Sequence, residues 1–107
     1  MRVITRDDII KEVNEMLKSD EGSIQWEDYI TFWIAQRKDH DTATELFNLF
    51  LTTCKTTYEP DVYEEVVRLY AYPAMVGACA SGNLDILDLI KGYVKESDMH
   101  DEMRNYF

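Results

Sequence analysis

The sequence predicts an all-α fold, a compact bundle of about five or six helices forming one domain over residues 1–107. Three observations carry that expectation. Apolar residues recur at i, i+3, i+4 and i+7 in most segments. Capping and turn residues stand where those patterns begin and end. Outside one ambiguous stretch, only Val3-Ile4-Thr5 has strand character, and a strand needs a partner. The hydrophobic content of 46% is ample for a core in a chain of 107 residues.

Taken in order, Thr5 and Asp8 form a capping box with Asp in place of the usual Glu. Ile9, Ile10, Val13, Met16 and Leu17 then mark one apolar helical face, and Asp7, Lys11 and Glu15 offer i,i+4 ion pairs opposite it. Ser19 to Ser23 is a polar loop. The next stretch, IQWEDYITFWIA, supports two periods. Ile24, Trp26, Ile30, Phe32 and Ile34 alternate as in a strand, whereas Trp26, Tyr29, Ile30, Trp33 and Ile34 make a helical stripe. Helix is the expectation, with a short N-terminal hairpin around residues 24–34 as the alternative.

Arg37 to Thr44 is a charged break, and Thr42 with Glu45 makes a second capping box. Leu46, Phe47, Phe50, Leu51 and Cys54 form the buried face that follows. Pro60 suits the first turn of another helix, where its missing N–H is not needed. Val62, Val66, Leu69, Tyr70 and Pro73 continue an apolar face, and Pro73 predicts a kink or helix boundary near Ala71 to Pro73. Ala74, Gly77, Ala78 and Ala80 are small enough to let another helix approach closely. Ser81-Gly82-Asn83 closes this helix and caps the next. From Leu84 to Val94 apolar residues cover most of a helix surface, which predicts the most buried helix in the domain. Met99, Met103, Tyr106 and Phe107 lie at i, i+4, i+7 and i+8 on a last helix, and these four are the candidate partner-binding residues, an adaptable Met-aromatic surface.

The chain carries 11 basic against 21 acidic residues, a net charge of -10. Nothing in that balance could replace the cations around a phosphate backbone, so direct nucleic-acid binding is not expected. The charge is even along the chain, which predicts a soluble, self-repelling surface. Cys54 and Cys79 lie in apolar surroundings without metal-ligand spacing and read as buried thiols of an intracellular protein. Arg2, Arg6, Asp7 and Asp8 interrupt any apolar leader, and the Leu69 to Leu84 run is too short and too rich in small residues to span a membrane. A cytoplasmic location is expected.

No enzymatic constellation emerges. The chain has no Gly-rich phosphate loop, nucleophile elbow or paired metal motif, and neither cysteine has an electropositive context. His40 sits between Asp39 and Asp41, but neighbours on a loop seldom converge on one ion, so it reads as solvated. The expectation is a non-enzyme with no cofactor or metal.

Two resemblances bear on function. ACASGNLDILDLI (Ala78 to Ile90) resembles the inner part of an ankyrin repeat; without a second copy about 33 residues away, it reads as a generic helical hairpin. The opening ITRDDII, the apolar stretch centred on Trp26, the charged turn and VVRLYAYPAMVGACASG (Val66 to Gly82) together resemble small tail assembly chaperones of long-tailed phages. That resemblance implies a non-enzymatic cytoplasmic protein that coats or solubilises a long helical client and self-associates. Two other roles fit the acidic, non-catalytic chain: an inhibitor that mimics nucleic acid to block a basic protein, and an oligomeric adaptor or scaffold.

Overall fold

The computed structural model describes residues 3–15 and 29–94. Among them the chain forms five helices and no strand: α1 (Arg6–Glu15), α2 (Ile30–Ala35), α3 (His40–Thr57), α4 (Pro60–Ser81) and α5 (Leu84–Ile90). The fold is all-α. α1 packs on α3, α2 lies in the angle between α3 and α4, and α5 folds back on α4 while touching α3. Phe47, Phe50, Ile9, Ile30, Ile34, Met75 and Ile90 are fully enclosed where these elements meet.

The capping box of α1 forms as expected. The Asp8 N–H donates to Thr5 Oγ1 (3.2 Å), and the Thr5 N–H donates to the Asp8 carboxylate (2.9 Å). Ile9 and Val13 face the core, while Ile10 is 45% exposed. The charged partner of α1 comes from another helix, with Arg6 3.7 Å from Glu45 of α3. Met16 and Leu17 lie outside the described residues.

The ambiguous stretch resolves to helix over its described part. α2 has only six residues, too few to be stable alone, and it persists because Ile30, Thr31, Phe32, Ile34 and Ala35 are all buried. A strand there would need a pairing partner, whereas the helix satisfies its backbone internally and packs on two sides. The hairpin alternative is therefore not formed over 30–34; residues 24–28 lie outside the described residues. α2, rather than α5, is the most enclosed helix among those described.

The close approach of α2 to α4 depends on Gly77. A Cβ at that position would lie 2.4 Å from the Phe32 carbonyl oxygen and 3.1 Å from the Gln36 nitrogen. The small residues of α4 thus admit a neighbour, as expected, and the neighbour is α2. Of the kink or helix boundary expected near Ala71 to Pro73, the boundary is absent, since α4 runs through Pro73 to Ser81. The proline removes one backbone bond, but its ring is buried and the buried Thr31 hydroxyl donates to the nearby Tyr70 carbonyl (2.8 Å). The carbonyl freed by the proline is that of Leu69, and burial of the ring offsets part of the local penalty.

α3 begins earlier than Thr42 suggests. Asp39 is the N-cap, accepting from the Thr42 N–H (3.3 Å) and from its hydroxyl (2.6 Å). A carboxylate can take both donors, so it displaces Thr42 from the capping role. At the end of α4 Gly82 takes the left-handed conformation (φ 73°), and Asn83 Oδ1 accepts from the Ile86 N–H (3.1 Å). α5 buries Ile86, Leu87 and Ile90 but leaves Leu84 63% exposed and ends at Ile90. A turn then closes with the Tyr93 N–H on the Ile90 carbonyl (2.8 Å) and returns Val94 to the core. The expected helix to Val94 is cut short beside Gly92, a poor helix former.

Candidate interaction surface

Among the described residues, the groups with titration behaviour unlike that of the free side chain are two cysteines, three tyrosines and one aspartate. Cys54 is fully enclosed, and burial pushes its thiol up to about 12. Cys79 is half-buried and is also raised by burial. Tyr58, Tyr63 and Tyr70 surround Cys54, and burial raises each phenol; Tyr63 also shares a side-chain hydrogen bond with Tyr93. The Tyr58 hydroxyl donates to the Val13 carbonyl and so ties α1 to the end of α3. Asp39 moves the other way, held below the usual carboxylate range by its hydrogen bonds from Thr42. Each shift moves away from neutrality, so none of these groups is tuned to exchange a proton near pH 7.

His40 is not the solvated loop residue its neighbours suggest. It opens α3, is half-buried, and lies with Nε2 2.9 Å from the Ser81 carbonyl, an acceptor that requires Nε2 to carry the proton. Ser81 Oγ in turn donates to the Ala35 carbonyl (2.7 Å). Together they join the start of α3, the end of α2 and the end of α4. Among the described residues, no group of three or more His, Cys, Asp and Glu side chains could hold a metal ion, and no helix is long and apolar enough to cross a membrane.

What remains is a surface. The buried positions of α4 include Val67, Ala71, Ala74, Met75 and Ala78, which turn toward the core. The opposite side follows Leu69, Tyr72, Val76 and Ala80, at i, i+3, i+7 and i+11, a second helical stripe. Leu69 is 55% exposed, Tyr72 and Val76 are half-buried, and Ala80 is exposed. No charged residue occurs from Leu69 to Leu84, so both the core side and the outer side of this half-helix are uncharged. From Leu69 to Ala80 the stripe runs about 16 Å, and Leu84, also exposed, opens α5 just past the turn. Exposed acids stand beyond both ends: Asp61 and Glu65 before it, Asp85 and Asp88 after it.

A family model matches residues 3–107. The chain belongs to DUF5903, a family of unknown function. No curated protein and no solved structure matches it.

In this family member the candidate partner-binding residues Met99, Met103, Tyr106 and Phe107 lie outside the described residues. The α4 stripe is absent from the sequence expectations, which assign Leu69 to the buried face together with Val62, Val66, Tyr70 and Pro73. Leu69 points outward, because the core side of the second half of α4 is set by Ala71, Ala74 and Ala78. The signal was available in the spacing of Leu69, Tyr72, Val76 and Ala80 within a segment without charges.

Proposed function

We propose that this protein is a non-enzymatic, acidic, helical interaction module that binds and solubilises a helical client in the cytoplasm, in the manner of phage tail assembly chaperones. The observation that carries the reading is the uncharged outer stripe of α4 on a chain with a net charge of -10. An exposed leucine alone needs no explanation, but a continuous aliphatic and aromatic row at helical spacing offers another helix a seat. Leu69 is 55% exposed, so covering the rest of it would contribute about 0.8–1.6 kcal/mol to such a complex. The surrounding negative charge would keep the loaded protein dispersed. The resemblance over Val66 to Gly82 supports the same reading, since that segment holds most of the stripe.

Affinity capture from the cells that naturally contain the protein tests the reading. The tagged full chain and its Leu69→Glu variant are compared at low and high salt, with mass spectrometry of what each retains. A long helical protein held by the wild type at high salt and lost from the variant is the expected result. Retention of a basic nucleic-acid enzyme at low salt only, equally by both, would replace this reading with that of an acidic inhibitor.

A further inference from the structure

We infer that the segment seated on α4 is a cationic amphipathic helix of about three turns, with lysines or arginines at both ends of its apolar row. The inference rests on the interaction reading and names its partner. Residues 61 to 88 carry five acids, Asp61, Glu64, Glu65, Asp85 and Asp88, and one base, Arg68. Their placement matters more than their number. Glu65 lies in line with Leu69, one turn before it, and Asp61 lies one turn earlier still. Asp85 directly follows Leu84 at the other end. All of these acids are exposed, and among the described residues Asp88 is the one of them that forms an ion pair, with Lys91 at 3.4 Å. The surface is therefore apolar along its middle and negative at its ends.

Charge complementarity selects among occupants. A helix with anionic ends would set like charges against each other across the interface, which disfavours it. A second copy would do the same on a larger scale. A two-fold interface apposes a patch to itself, so two α4 stripes would bring together two chains of charge -10. An anionic bilayer is repelled for the same reason. A helix with an apolar row matching Leu69, Tyr72, Val76 and Ala80 and cationic ends meets both requirements at once. Its apolar contact gives affinity that persists in salt, and its ends give orientation and a faster encounter.

The test uses the full chain and a designed probe, a leucine–lysine peptide of about five helical turns with leucines at i, i+3, i+4 and i+7. Two counterparts accompany it: one with glutamate for lysine, and one of the same composition with its leucines at a two-residue period. Fluorescence anisotropy should show the helical lysine peptide binding, and both counterparts binding at least about tenfold more weakly. Leu69→Ser with Leu84→Ser, both at exposed positions, should weaken the lysine peptide about tenfold with the far-ultraviolet circular dichroism unchanged. Glu65→Gln with Asp85→Asn should weaken it too and flatten its salt dependence.

Three results would overturn the inference. Binding indifferent to Leu69→Ser with Leu84→Ser would mean diffuse charge attraction. Equal binding of the glutamate peptide would mean that the flanking acids play no part. Sedimentation showing copies of the protein joined through Leu69 would assign the stripe to self-association. If the capture described above still depends on Leu69 in the first two cases, the interaction reading stands and only the basic helix is lost.

Discussion

At Gly77 the hydrogen side chain decides whether two helices can meet. An added methyl would sit 2.4 Å from the Phe32 carbonyl oxygen, a backbone atom that cannot step aside without moving α2. Gly77→Ala should therefore destabilise the protein by about 1–3 kcal/mol in urea unfolding, although alanine is the better helix former. Cys54 makes a second residue-level case. Its thiol ionises near 9.0 in the unfolded chain but near 12 in the folded one. Between those values the unfolded state binds fewer protons, so stability is fully present below about pH 9 and falls as pH rises toward 12. Burial raises Tyr58, Tyr63 and Tyr70 as well, which adds to the fall in the same direction. The thermal midpoint should drop on alkaline titration, less steeply in Cys54→Ala than in the wild type. Equal slopes would show that the thiol ionises in the fold as readily as outside it.

Among the elements, what was legible in the sequence was local. The Thr5–Asp8 box, Pro60 at a helix start, and the Gly82–Asn83 stop and cap all act within four residues, and each stands in the structure as read. Where two local signals competed, the reading erred: Asp39 outranks Thr42 as a cap because its carboxylate accepts both the Thr42 N–H and its hydroxyl. Whether α4 would continue through Pro73 or stop there was left open by the local signal, and the Thr31 hydroxyl that meets Tyr70 comes from 39 residues away. The stripe was visible in the spacing, but deciding which side of α4 faces out needs the position of α2. Two substitutions measure these devices. Thr31→Val should cost about 0.5–1.5 kcal/mol by removing that bond from a buried site. Asn83→Ala should cost about 1–2 kcal/mol, since the lost cap leaves the Ile86 N–H without its acceptor. Chemical denaturation of the two variants checks both values, and a Thr31→Val variant as stable as the wild type would show that this bond contributes nothing net to stability.

For the molecule as a whole, the proposed function assigns stability and binding to different surfaces. The core draws on all five described helices, and of the stripe only Tyr72 packs against it, while Leu69 and Ala80 are exposed. Leu69→Glu should consequently leave folding stability within about 0.5 kcal/mol of the wild type while abolishing capture of a client. The most direct measurement places a photo-crosslinking amino acid at Leu69, and in a second protein at Asn48, an exposed polar position on α3. Both are expressed where the protein naturally occurs and are then irradiated. A discrete adduct with a helical partner from position 69, and none from position 48, is the predicted result. Equal adducts from both positions, or none from either, would contradict the assignment of the α4 stripe as the binding surface.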